Sequence, residues 1–385
     1  MRWKTLSLLW ILAACEGSVS DVVAALDGAV DAERPRVVPT PDAAALMPDA
    51  QADADAAIPA LPDAELPRPG ELTSAHCDGS PVYGVGAEIV VGGSGTEGRV
   101  GVTTDGERWT DGTTTPRGTM SPGHTRNLIR GTGYGGGVFV AVGGHDNSYI
   151  STSCDGTRWR FDVLGTNIEG DVADSYRAFL SDVAYLDGVF VAAGAGGARL
   201  TSTDHGVSWH RTGDSMGGHF RGIASGNGMF LATGHSWSGD TGYTATSTDG
   251  ETWTPVRETP GELSGVVFGH GVFVTVGGSR CSSTTDGVTF ADCGIVSSGY
   301  LVSAKFVHGQ FYVQSRDGEW WSSTDGRVFT GPNRGWLPQS IAEANGRFIA
   351  SGSEWRGYGE VFHEWTQRDL PSLANLVSGR VLFQP

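Results

Sequence analysis

Two arginines, Arg130 and Arg221, occupy the same place in two copies of a repeating sequence pattern. Guanidinium groups that converge in this way grip a carboxylate or a sulfate through paired N–H donors. Arg126, Arg177, His219 and Trp237 fall in polar connections that the same pattern carries to one face, together with His235 and Arg316. These are the ligand-binding candidates: cations for an acidic group and an aromatic ring for a sugar or an apolar surface. A hydrolase needs more. Asp146 and Asp240 are a carboxylate pair on such connections, and their separation would decide the stereochemistry of glycoside hydrolysis. No GxSxG elbow supports a serine nucleophile, and no CxxC or HExxH supports a metal. The four histidines from His205 to His235 are assigned to separate strands and loops, so no zinc site is expected. No cofactor is called for. The residues favour binding over catalysis, with a glycosidase as the leading enzymatic alternative.

What must position these side chains is a repeat. The segments VTTDGERW (102–109), TSCDGTRW (152–159), TSTDHGVSW (201–209), TSTDGETW (246–253), STTDGVTF (283–290) and SSTDGRVF (322–329) are variants of one motif. Its aspartates, Asp105, Asp155, Asp204, Asp249, Asp286 and Asp325, step by 50, 49, 45, 37 and 39 residues. A second phrase precedes each copy, as in VFVAVGG from Val138, MFLATG from Met229 and VFVTVGG from Val272. A seventh phrase, RFIASG from Arg347, has lost its Asp-Gly partner. The spacing of about 44 residues per unit is that of propeller blades. Asp-Gly between alternating runs marks a hairpin, because glycine supplies the positive φ, and the Asp and the preceding Ser or Thr can bond nearby amides. Each unit yields four short strands, and one such sheet cannot bury both faces alone. The sequence therefore predicts an all-β protein: a seven-bladed β-propeller of four-stranded antiparallel blades over 76–385. Composition agrees. The chain holds 59 glycines, too many for a helical bundle, and its net charge of −17 excludes electrostatic binding of nucleic acid.

The pattern Ser-x-Asp-x-Gly-x-x-Trp resembles the Asp-box, or BNR repeat, of sialidases and related propellers. Ser202 to Trp209 keeps its full spacing, and the other five copies are one residue shorter. The resemblance implies a propeller of the sialidase-like superfamily with its boxes on outer turns, where the six aspartates are structural. Sialidases also use three arginines on a substrate carboxylate, a Tyr/Glu nucleophile pair, an acidic Asp and an Arg-Ile-Pro motif. This chain offers YRAF (176–179) and FRGI (220–223) and no Arg-Ile-Pro.

The first fifteen residues, MRWKTLSLLWILAAC, combine a positive start with an apolar run too short to span a bilayer. Leu12 to Cys15 resembles the lipobox of bacterial lipoproteins, which implies lipidation of Cys15 after removal of a signal peptide. Glu16 in the following position implies the outer membrane of the cell envelope. Residues 16–75 hold 15 Ala, 8 Pro and 12 acids without one aromatic residue, the composition of a disordered tether. Their charge of −9, with the +2 of residues 1–15, leaves −10 for residues 76–385. The expected partners are a membrane, through the lipid anchor, and a protein or glycan ligand; a monomer is expected.

Cys281 and Cys293 flank the Asp286–Gly287 turn almost symmetrically, which puts them opposite each other on a hairpin and predicts a disulfide. Cys77 and Cys154 pair only by elimination. The ring must also close. Either the tail after Trp365 completes the last blade, or the segment near Pro81 contributes a strand to it, and the termini are expected to meet.

Overall fold

The computed structural model describes residues 83, 85–93, 100–112, 129–144, 148–164, 179–213, 216–334, 337–338, 340–351, 356–359, 366–368 and 374–382. Cys15, the 16–75 segment, Cys77, Arg126, Asp146 and Arg177 lie outside the described residues. Among the described residues, 28 strands form seven four-stranded antiparallel sheets. The inner strands of blades 2 to 7 are Ile129–Gly135, Leu180–Leu186, Gly218–Gly226, Gly265–Gly269, Leu301–Val307 and Ser340–Ala344. That of blade 1 is Ala374–Arg380, and the seven touch in ring order around an axis.

Second strands are buried along their whole length, as Val138–Gly144 shows, because each is covered by blades on both sides. The phenylalanine of the repeated phrase sits in these interfaces. Phe139, Phe190, Phe230, Phe273 and Phe311 are all 0% exposed, each worth about 2–3 kcal/mol of burial.

The Asp-Gly motif forms one turn six times. In blade 2, Ser153 Oγ accepts the Gly156 N–H at 2.8 Å, while Asp155 Oδ1 accepts those of Thr157 and Arg158 at 2.9 and 3.0 Å. Asp286 shows the electrostatic consequence: the N–H groups of Thr289 and Val288 hold its carboxyl down to about 2. Gly287 in this turn has φ +67°, and a Cβ there would run into Thr246 of blade 4. The indole N–H of Trp109, Trp159, Trp209 and Trp253 donates back to the carbonyl of the turn glycine at 2.7–3.1 Å. The outer strand starts one residue after Trp109, Trp159 and Trp209 and four after Trp253, and each tryptophan packs over its own turn and against the preceding blade.

The ring closes by the first of the two expected routes, with one addition. The last blade takes its outer strand, Thr366–Arg368, from the tail, and the tail then supplies the inner strand of blade 1. The reason is the phase of the repeat: EIVVGG from Glu88 is a second strand, so the first unit begins without an inner one. Glu88–Gly93 pairs with Ala374–Arg380, and Arg380 reaches Glu88 at 2.8 Å, so the two ends of the domain do meet. Cys281 and Cys293 are bonded, with Cα atoms 5.4 Å apart. Cys154 is disulfide-bonded as well.

Hairpins between first and second strands carry inter-blade latches. Asn227 Nδ2 donates to the Gly271 and Thr285 carbonyls of blade 5, and Asn345 Nδ2 to the Glu88 and Thr104 carbonyls across the closure. Near the axis, Asp182 accepts the Val183 N–H at 2.9 Å and the Ile223 N–H of the next blade at 3.1 Å. Ser340 likewise accepts the Leu376 N–H at 2.7 Å. Burial pushes the Asp182 carboxyl up to about 7, whereas an unfolded chain gives about 4.

Two outcomes follow for stability. A Cβ on Gly234 would meet the His219 carbonyl oxygen and Phe220 Cα, so Gly234→Ala is expected to cost about 2–3 kcal/mol in urea unfolding. At Gly217, where nothing lies within 4 Å, alanine is expected to change stability by under about 0.5 kcal/mol. Between about pH 4 and 7 the unfolded chain has released the proton that folded Asp182 keeps. Its stabilising contribution is therefore full below about pH 4, falls as pH rises through 7 and is flat above. Subtracting the stability–pH curve of Asp182→Asn from that of the native chain isolates this fall; a flat difference would contradict it.

Candidate functional site

Five inner strands carry an extra residue near the same point, Asn375 in blade 1 and one each in blades 2, 3, 4 and 6. In the last four the register slips between Ile129 and Gly131, Leu180 and Asp182, Phe220 and Gly222, and Leu301 and Ser303. Their unpaired residues are Arg130, Ser181, Arg221 and Val302, and such bulges re-aim the side chain they carry. In blade 5, Ser264 stands at the corresponding place just ahead of its strand, its N–H bonded to the Val276 carbonyl at 2.7 Å. Arg130, Ser181, Arg221, Ser264 and Val302 line one cavity of about 420 Å³. Glycines that end second strands make room for the bulges, since Gly194, Gly234 and Gly277 each face inner-strand backbone where a Cβ would clash.

Two further repeat positions complete the walls. Two residues before the bulge stand Phe179, His219, Glu262 and Tyr300 in blades 3 to 6. Glu262 and Tyr300 line the cavity, and Phe179 lies 4.4 Å beneath the Arg130 guanidinium. Five residues after the phrase phenylalanine come His235 of blade 4 and Arg316 of blade 6, and Arg316 lines the cavity over the Tyr300 ring at 5.2 Å. Three guanidiniums thus share one opening. None of them pairs with a carboxylate among the described residues.

The arginines are held in place from behind. Arg130 Nε donates to the Gly144 carbonyl at 3.0 Å. Arg221 Nε points at His235 Nε2 at 3.5 Å, and His235 Nδ1 lies 2.8 Å from the Ser236 carbonyl oxygen. A proton on Nδ1 satisfies that carbonyl and leaves Nε2 to accept from the arginine. Burial lowers the pKa of Arg130, with the charge of Arg221 adding to the effect. Burial lowers that of Arg221 too, against the pull of Glu262. Both stay charged, and an anion would relieve the strain on their charge. His219 is 6% exposed, with its ring 4.3 Å from that of His235 and 4.9 Å from that of Trp237. Burial, then the charges of Arg221, His235 and Arg130, push it down to about 3, so it stays neutral.

The sequence candidates divide accordingly. Arg130 and Arg221 meet in the cavity, whereas His219 and Trp237, in ring contact with each other, do not line it, and Trp237 is 36% exposed. Asp240 is exposed and does not line the cavity. The four histidines lie as expected on separate elements, His205 in the blade 3 turn, His210 on an outer strand and His219 and His235 on the first and second strands of blade 4, where the last two face each other. His210, by contrast, opens an outer strand and pairs with Glu251 at 2.8 Å. No group of three potential metal-ligating side chains forms among the described residues. Glu262 and Tyr300 escaped the sequence reading, although aligning the position two before Arg130 and Arg221 in every blade would have found them.

No protein-family model matches the sequence, and no curated protein matches it. Solved structures do resemble the fold. YCF48 bound to D1 peptide is similar with a TM-score of 0.50 at 14% identity, over 79% of this chain and 99% of that one. A chain of the mitotic checkpoint complex gives 0.49 at 12%, over 68% and 86%. The WD40 β-propeller domain of Doa1 gives 0.44 at 12%, over 65% and 91%. At such identities the likeness is one of fold: the chain is a β-propeller.

Proposed function

We propose that the chain is a non-catalytic binding module whose channel mouth takes an acidic group on a protein or glycan ligand. The observation that carries this reading is the meeting of Arg130, Arg221 and Arg316 in one cavity without carboxylate partners. Trp237, exposed and in ring contact with His219 on the same blade as Arg221, offers an aromatic face for a sugar ring or an apolar side chain. Kinship with Asp-box propellers is supported by the turn chemistry of Asp105, Asp155, Asp204, Asp249, Asp286 and Asp325. YCF48 is a propeller seen with a peptide, which supports the protein-ligand arm; a role in assembling or stabilising other envelope proteins is a second non-catalytic form of that arm. The N-terminal sequence supports delivery to the cell envelope on a lipidated Cys15, with residues 16–75 as the spacer from the outer membrane.

A second reading has its own observation. Tyr300 and Glu262 line the same cavity as the three arginines, the residue types that a sialidase-like hydrolase uses. Against it, no hydrogen bond joins Tyr300 to Glu262, the contact such a nucleophile pair needs.

On an array of acidic glycans, replacing both Arg130 and Arg221 by Ala is expected to reduce binding at least about 100-fold, since each charge-assisted contact contributes about 1.5–3 kcal/mol. Unchanged binding would remove the site. A fluorogenic sialoside is expected to stay intact in the presence of the native chain; turnover that disappears in Glu262→Gln would replace the binding module by the hydrolase. For the anchor, Cys15→Ala is expected to lose palmitate labelling and move the protein out of the membrane fraction.

A further inference from the structure

We infer that the channel-mouth cavity is shaped for a tetrahedral oxoanion, the phosphate or sulfate group of a ligand, in preference to a planar carboxylate. This rests on the binding reading above and narrows it. The first ground is the direction from which donors arrive. In ring order the cavity meets Arg130, Ser181, Arg221, Ser264 and Arg316, from blades 2 to 6, so guanidinium and hydroxyl donors alternate round more than half of the axis. A carboxylate accepts through two oxygens whose lone pairs share one plane, and donors spread round an arc cannot all lie in it. A tetrahedral anion presents its oxygens in three dimensions and can accept from each.

The second ground is Ser181. It is 8% exposed, lines the cavity between the two arginines, and its buried Oγ has no hydrogen-bond partner among the described residues. A buried hydroxyl is normally bonded, and this one, on the strand between those of Arg130 and Arg221, is left with its donor to give to a third oxygen of an anion that the two arginines hold. The third ground is charge. Three guanidiniums face the single carboxylate of Glu262, leaving an excess of two positive charges that one carboxylate ligand would only half neutralise. A phosphate monoester carries about −1.5 to −2 at neutral pH and closes the balance, whereas a sulfate monoester is singly charged like a carboxylate, so this ground favours phosphate and leaves sulfate to the first two. Preorganisation supports the same geometry, because both Nε groups are already engaged and the terminal amino groups of Arg130 and Arg221 are left for the ligand. The cavity volume exceeds that of the bare anion, so Tyr300, Val302 and Glu262 would meet the body that carries it.

Three probes with the same sugar ring separate anion shape from everything else: glucose 6-phosphate, glucose 6-sulfate and glucuronate. In calorimetric titration of the full chain, the phosphate and sulfate esters are expected to bind at least about tenfold tighter than glucuronate. Ser181→Ala is expected to lower affinity for both esters about tenfold and leave glucuronate unchanged. Arg221→Met should weaken all three, and Ser264→Ala provides a second hydroxyl test, with thermal unfolding confirming that each variant is folded. Glucuronate binding as tightly as the esters, or Ser181→Ala weakening all three alike, would overturn the oxoanion assignment and leave anion binding in place. Binding of none of the three by the native chain would overturn both.

Discussion

Each blade has two apolar faces and no way of covering either by itself, and this requirement governs the rest of the molecule. Phe139, Phe190, Phe230, Phe273 and Phe311 are fully buried only because a neighbouring blade lies against each one. Stacking satisfies every blade except those at the ends, so the stack has to close on itself. Pairing of Glu88–Gly93 with Ala374–Arg380 does this with backbone hydrogen bonds between segments some 290 residues apart, a separation whose loop entropy is charged once for the whole ring. The latches at Asn227 and Asn345 and the axial acceptors Asp182 and Ser340 are weak one by one. They act between sheets already held in contact, which is where a single hydrogen bond of about 1 kcal/mol can set register.

Closure also creates the place where function can sit. Seven inner strands packed round an axis leave their inner edges unpaired, and the bulges at Arg130, Ser181, Arg221 and Val302 turn one side chain per strand into that opening. The bulge itself is a repeated structural feature, supported by the glycines opposite it. What it carries is free to vary: arginine in blades 2 and 4, serine in blade 3, valine in blade 6. The scaffold thus presents an array of equivalent positions, and the chemistry of the site is written in how they differ.

That division explains what the sequence could disclose. The Asp-Gly turns and the second-strand phenylalanines each perform the same task in six of the blades, and Cys281 and Cys293 sit symmetrically across one hairpin, so repetition and spacing reveal them. Arg130 and Arg221 were legible because they coincide when the repeat is aligned. Glu262 and Tyr300 were not, since they share a repeat position with Phe179 and His219 and no two of these four residues are alike. Closure was half legible. The repeat counts seven phrases, but only the phase of the first, which opens on a second strand, tells that the missing inner strand must come from the other end of the chain.

The electrostatics of the opening run against those of the chain. A net charge of −17 would repel an anion at long range, yet the screening length in physiological salt is about 8 Å, so acids on the outer turns act weakly on the axis. Within the cavity, burial removes water from around Arg130 and Arg221 and lowers both pKa values, the charge of Arg221 adding to the effect on Arg130, which leaves them more in need of an anion than surface arginines. His219 makes the same point in reverse. A protonated imidazole beside those two guanidiniums would add a third charge, and the cost of burying it there is high enough that the ring stays neutral down to about pH 3. The positive charge offered to a ligand is therefore that of the arginines, held at fixed places by Gly144, Phe179 and His235 and independent of pH across the physiological range.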